Sequence, residues 1–268
     1  MLRDITIGQY FPGNSLIHRL DPRFKIIMTF IYILMLFTGD SLICLTVGTA
    51  FTFMAVIISR IPLKMFVRSV KPLLPFLLLT AILNMLFIKS GDVLWEWKII
   101  KLTTDGVNLS IFMAVRIILL ITGSSILTYT TSPITLTDAI ERLLSPLKKL
   151  RFPVHELAMM MSIALRFIPT LIEETDKIMS AQKARGAEID SGSFTTRAKN
   201  MISILIPLFF SAFRRADELA TAMECRCYNG GDGRTRLREL HSSFRDYAAL
   251  AVTVIFYGAA IATGIVTG

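Results

Sequence analysis

The chain has 268 residues, of which 53% are hydrophobic and 18% charged, and its mean hydropathy is +0.59. A soluble domain is nearer about 45–50% apolar and about a quarter charged, so this composition excludes disorder and sits badly with a water-soluble sphere. The formal charge of +9 fits either nucleic acid or the cytoplasmic face of a membrane. Three cysteines cannot complete a paired framework, and none lies in a metal-type pair of pairs.

The placement of charge separates the two explanations. Charge-free runs occupy 26–39, 41–59, 72–88, 117–137 and 247–268. A helix crossing a bilayer needs roughly 20 mainly apolar residues, because every backbone N–H and C=O must be bonded within the segment. The runs predict five principal spans, at about 24–39, 41–59, 71–89, 107–130 and 247–267. The first reaches this length only by taking in Phe24 and Lys25, with the lysine reaching back to the surface. Pro72 and Pro75 suit the start of the third span, where a missing N–H does no harm. Two further apolar stretches, 154–168 and 201–213, are read as amphipathic helix rather than span. The first holds His155, Glu156 and Arg166, and the second has only 13 uncharged residues.

The fold class is therefore an all-α polytopic membrane protein. Its predicted parts are an N-terminal arm (1–23), a four-helix transmembrane region (24–137), a helical insert (138–246) and a C-terminal transmembrane helix (247–268). Arg3 and Asp4 are followed by no apolar run, so the arm reads as cytoplasmic rather than as a signal peptide. With the N-terminus inside, segments 1–25, 60–71 and 138–246 carry 4, 4 and 17 lysines and arginines, 25 of the 29. The opposite side carries 3, and Arg116 lies within a span. The N-terminus is expected on the cytoplasmic side of a cell membrane.

Within the insert, 17 basic residues meet 14 acidic ones, which argues against a nucleic-acid partner. Leu157, Met160, Met161, Ala164, Leu165 and Ile168 recur at helical spacing, and the pattern runs on to Lys183-Ala184-Arg185-Gly186. A polar link from Asp190 to Asn200 precedes a second helix, from about 201 to 228, ending around Cys225-Arg226-Cys227-Tyr228. Pro169 and Pro207 fall inside these helices and are predicted to bend them.

Each helix thus ends on an arginine, at the favourable end of the helix dipole, with a planar fork of donors for carboxylates or backbone carbonyls. Cys225 and Cys227 lack two further obvious ligands, so no metal is expected there. No phosphate loop, dinucleotide fingerprint or nucleophile elbow appears, which points to a non-catalytic chain with no directly bound cofactor. Arg116 is read as bonding a helix end or reaching the surface. The alternative is a secondary transporter, with Arg116 in the pathway and the insert as a regulatory domain. That would require polar residues converging at the membrane midplane, and the spans supply few.

Four stretches carry a family resemblance. They are Leu20-Asp21-Pro22-Arg23-Phe24-Lys25, Leu165-Arg166-Phe167-Ile168-Pro169 through Glu173-Glu174, Ala181-Gln182-Lys183-Ala184-Arg185-Gly186, and Arg214-Arg215-Ala216-Asp217-Glu218-Leu219-Ala220 through Tyr228. With them the chain resembles the transmembrane T component of energy-coupling factor transporters, the ABC-type importers of vitamins and metal ions. The resemblance implies two long cytoplasmic coupling helices whose arginines dock into two ABC ATPase subunits, alike or different, which use the ATP. It also implies a separate small membrane protein, the S component, that captures the substrate. Ala184-Arg185-Gly186 matches the family's Ala-Arg-Gly motif fully. The second site matches at Arg226, with Cys225 and Cys227 in place of alanine and glycine.

Overall fold

The computed structural model describes residues 10–39, 42–88, 90, 92–97, 100–150, 152–186, 194–230 and 240–267, with the side chains of 93–102, 194, 196–199 and 263–267 left aside. Residues 1–9 of the expected N-terminal arm therefore lie outside the described residues. The fold divides into two compact units, one within 137–239 and the other within 8–136 and 240–268.

The larger unit contains α1 (Pro22–Thr38), α2 (Leu42–Ser59), α3 (Leu63–Val70), α4 (Leu74–Phe87), α5 (Thr104–Thr130) and α9 (Phe244–Thr267). Its core is built where α1, α2, α5 and α9 meet, from Tyr32, Met35, Leu36, Cys44, Leu119 and Ala260. A second cluster, Ile61, Phe66, Ile126 and Tyr129, ties α3 to α5. Outward faces stay apolar, as at Phe30, Phe53, Leu78 and Ile255, which suits lipid as solvent.

Short polar devices set the helix ends. Asp21 caps α1 by accepting from Arg23 N at 2.9 Å, with Pro22 at the first helical position. The Asp21 N–H donates to Asp246 Oδ1 at 2.8 Å, while Asp246 Oδ2 accepts from Ser243 N at 2.6 Å. Arg23 bridges Asp21 and the Leu240 carbonyl, so one motif fastens the starts of α1 and α9 together. Lys25 does not reach out to the surface, as its place near the end of a span predicts. It is buried, and its ammonium donates to the carbonyls of Thr130 (3.0 Å) and His18 (3.3 Å) and to Thr131 Oγ1 (3.3 Å). The C-terminal carbonyls of α5 offer a cation acceptors and the negative end of a dipole, which substitute for water.

Between α4 and α5 the chain forms an antiparallel hairpin, β1 (Val93–Trp97) with β2 (Ile100–Thr103), in which Trp97 faces Ile100. The sequence reading assigned no strand to 89–106. Thr103 then caps α5, accepting from Gly106 N and donating to the Ile88 carbonyl at 2.9 Å.

The smaller unit holds most of α6 (Pro133–Leu144), a 3₁₀ segment (Ser145–Leu150), α7 (Val154–Ala184) and α8 (Phe194–Cys225). Helix α8 begins at Phe194 rather than near 201, because extending a formed helix by further residues costs far less than nucleating one.

Among the described residues five helical stretches are long and apolar enough to cross a membrane: Leu42–Ser59, Leu63–Phe87, Thr104–Thr130, Val154–Ala184 and Phe244–Ala262. The number is the expected one and the membership differs. Helix α1 has 17 residues, under the roughly 20 that span a bilayer upright. Helix α7 qualifies because its first half is chiefly apolar, three of its four acids, Glu173, Glu174 and Asp176, lying in its second half. The molecule is an all-α, multi-pass membrane protein with one small hairpin.

Candidate coupling helices and their arginine ends

Helices α7 and α8 pack against each other in opposite directions. Glu174 on α7 accepts from Arg215 Nη2 at 2.8 Å and also from Ser211 Oγ, both on α8. Eight residues further along α7, Gln182 Nε2 donates to the Ser203 carbonyl, eight residues back along α8, at 3.4 Å. Arg215 also lies over the Phe167 ring, 5.8 Å from its centroid. The inward stripe of α8 is Ile204, Leu208, Ala212 and Leu219, spaced by helical turns. The sequence reading named Pro169 and Pro207 but not Glu174, Ser211 or Arg215 as a locking set.

Both helices run unbroken through their prolines. A proline N lacks its hydrogen, so Pro207 leaves the Ser203 carbonyl without its helical donor. The Gln182 amide occupies that vacancy.

The two arginine ends share one backbone design. Arg185 closes α7, its N–H bonded to the Ala181 and Gln182 carbonyls, and Gly186 follows at φ +87° with its N–H on the Lys183 carbonyl at 3.0 Å. Arg226 closes α8, and Cys227 follows at φ +54° with its N–H on the Glu224 carbonyl at 2.8 Å. Tyr228 N then reaches back to the Met223 carbonyl at 3.0 Å. This is the left-handed helix cap in which glycine is the usual residue. Cys227 thus adopts the left-handed backbone that Gly186 adopts at the other end. Ala184, Arg185, Gly186, Cys225, Arg226 and Cys227 are all exposed. Because α7 and α8 are antiparallel, the arginines sit at opposite ends of the pair, separated on the order of 30 Å at 1.5 Å per residue.

The other singled-out residues have local roles. Arg116 Nη2 donates to the Gly39 carbonyl, the C-cap of α1, at 2.7 Å, and its guanidinium stacks 4.5 Å from the Phe112 centroid. His155 Nδ1 meets Glu141 Oε1 at 3.0 Å. Among the described residues no group of three His, Cys, Asp or Glu could hold a metal ion, and Cys225 and Cys227 form no disulfide.

A multi-pass helical membrane protein bearing an antiparallel pair of long helices with capped, exposed arginine ends is the class that fold and site define. Its residues 13–237 match the family model described as "Cobalt transport protein", CbiQ. The chain is 54% identical over 256 residues, 96% of each chain, to the "Energy-coupling factor transporter transmembrane protein EcfT" of Ruminiclostridium cellulolyticum. It is 54% identical over 240 residues to the protein of the same description from Acidaminococcus fermentans, covering 90% of this chain and 89% of that one. For the Bacillus subtilis protein so described the figure is 44% over 255 residues, 95% and 96% of the two chains. The chain belongs to the energy-coupling factor transporter transmembrane protein family. As such it is a non-catalytic coupling subunit of an ABC-type importer, in which ATP is used by other subunits.

Proposed function

We propose that Arg185 and Arg226 each enter a groove on one of two ABC ATPase subunits, alike or different, and that α7 and α8 carry the ATPases' motion to one separate substrate-capturing membrane protein. The observation that carries this is the matched pair of ends. Two helices of one antiparallel pair each stop at an exposed arginine, followed by a left-handed residue that turns the chain away. A guanidinium held so has its donors free of its own backbone cap and directed at a partner's carboxylates or carbonyls. The wide spacing of the ends suits two docking sites rather than one.

The orientation that serves this puts the N-terminus and 138–246 in the cytoplasm, with Ala184-Arg185-Gly186 and Cys225-Arg226-Cys227 as the ATPase contacts. With α1 crossing the bilayer and α7 kept outside it, 25 of 29 basic residues fall on that side, which supports it. When the ATPases approach each other, each drags one end of the pair. The lock between Glu174 and Arg215 makes the two helices turn together, and Pro169 and Pro207 are the places where the axes can flex. Exposed apolar residues on α8, among them Met201, Leu205, Phe209 and Phe213, offer the moving surface for the substrate-capturing partner or lipid. The cargo would be a vitamin or a transition-metal ion, chosen by that partner. Secondary transport through Arg116 is disfavoured, since that guanidinium is engaged with the end of α1.

The test is the whole transporter in vesicles, with Arg185→Ala, Arg226→Ala and both together. Each single change should weaken assembly or uncouple ATP hydrolysis from uptake, and the double change should do so more strongly. Losing one member of a buried charge pair costs about 3–5 kcal/mol, less at a wet site. Unchanged assembly and unchanged substrate-driven ATPase in the double variant would refute the proposal.

A further inference from the structure

A cavity of about 470 Å³ lies in the larger unit between α1, α2, α5 and α9. That is within the roughly 300–1,000 Å³ of sites that take small molecules. It extends along α9 from Arg245 to Thr253, about 12 Å at 1.5 Å per residue. Its deep end is at Tyr32, Thr52 and Gly123, and its wall is chiefly apolar, with Met28, Met54 and Leu127 among the lining.

The polar atoms of the wall are already satisfied by the protein. Tyr32 Oη pairs with Thr52 Oγ1 at 2.7 Å and donates to the Leu119 carbonyl at 2.9 Å. Thr29 and Thr253 hydroxyls bond carbonyls of their own helices, at 2.8 and 2.9 Å, and Lys25 is committed to Thr130. A polar solute therefore finds no open partner inside, whereas a hydrocarbon chain needs none. At the other end the lining includes exposed Leu16 and Ile58, where the cavity meets the surface. Arg245 lines this mouth and is exposed, with no ion pair among the described residues, and exposed Arg19 stands between Ile17 and Leu20 of the lining. The nearby acids are engaged, Asp21 with Arg23 and Asp246 with two backbone N–H groups. The mouth is left with a net positive charge.

We infer that this cavity holds one acyl chain of an anionic phospholipid, with the lipid phosphate at Arg245. The apolar wall takes the chain and the cation takes the headgroup, and a membrane supplies this ligand from every side. The site stands independently of the coupling role, and only the leaflet depends on the orientation proposed above.

The experiment is native mass spectrometry of the whole transporter extracted from vesicles of equal parts phosphatidylglycerol and phosphatidylcholine, so that leaflet does not matter. One phosphatidylglycerol is expected to stay with each copy of this chain. Arg245→Gln should lower the preference for phosphatidylglycerol about fivefold, the worth of one interfacial cation. Ala249→Phe, which fills the cavity wall, should cut retention of both lipids. Equal retention of the two lipids by the unaltered protein, or retention indifferent to both substitutions, would overturn the inference. So would displacement of the lipid by inorganic phosphate alone, or a second copy of the chain in place of lipid. If Ala249→Phe fails to assemble, the headgroup preference of Arg245→Gln still decides.

Discussion

The side chain of Gln182 donates to the backbone carbonyl of Ser203, the carbonyl that Pro207 deprives of its donor. One helix of the pair thus repairs a defect in the other, and the repair fastens them together. A neutral hydrogen bond of this kind contributes about 1 kcal/mol net. Gln182→Leu should destabilise the α7–α8 pair by about that amount, whereas restoring the N–H with Pro207→Ala should make the protein nearly indifferent to Gln182→Leu. A double-mutant cycle on thermal unfolding of the transporter measures this. Additive losses would mean that the two residues do not share the carbonyl.

Cys227 sits at φ +54°, where a side chain other than glycine costs on the order of 1–2 kcal/mol. Cys227→Gly should therefore stabilise the end of α8 by about 1 kcal/mol, and Cys227→Val, branched at Cβ, should destabilise it. Gly186→Ala should weaken the α7 end by a similar amount, through backbone strain alone, since a Cβ there meets nothing within 4 Å. Hydrogen exchange at the Cys227 and Tyr228 amides reports the cap directly, slower in the glycine variant and faster in the valine variant.

The ion pair of Glu174 and Arg215 is partly solvated, with side chains 23% and 29% exposed, so its electrostatic worth is modest, up to about 1 kcal/mol. Its geometric role is larger, because Glu174 also accepts from Ser211 and Arg215 also stacks on Phe167. Glu174→Arg should lower coupled uptake more than it lowers ATP hydrolysis, and Arg215→Glu in the same chain should restore part of the uptake. A reversed pair that restores nothing would assign the effect to Ser211 or to Phe167 packing instead.

The features of the fold and of this helix pair differ in how far the sequence reveals them. Arg185 and Arg226 are legible because each closes an amphipathic pattern and precedes a break, and the charge-free runs at 41–59, 117–137 and 247–268 match long apolar helices. The role of Gln182 is not legible, because it depends on the register of two helices and on a partner 21 positions away in sequence. Pro207 gives the one available signal, since a proline within a helix marks the carbonyl four residues earlier as needing a partner. The left-handed backbone of Cys227 is hidden because the residue type argues against it, and only the helix ending around it imposes it. The hairpin at 93–103 is missed for a related reason. Its strands are four or five residues long, too short for an alternating pattern to stand out from a loop.

The cavity wall depends on a close approach at Gly123. A Cβ added there would lie 2.1 Å from Tyr32 Cε1, far inside contact distance. Tyr32 is 3% exposed and cannot withdraw without breaking its bonds to Thr52 and to the Leu119 carbonyl. Gly123→Ala should therefore cost about 1–3 kcal/mol of overpacking, beyond any gain from a better helix former on α5. Tyr32→Phe gives the contrast, keeping the ring and losing only the hydroxyl contacts, at about 1 kcal/mol. In detergent-solubilised transporter the order of midpoint temperatures should be unaltered protein, then Tyr32→Phe, then Gly123→Ala. Pairing Gly123→Ala with Tyr32→Leu, which shortens the obstructing side chain, should cost less than the two separate losses added together. A fully additive pair would mean that Tyr32 is not what excludes a side chain at Gly123.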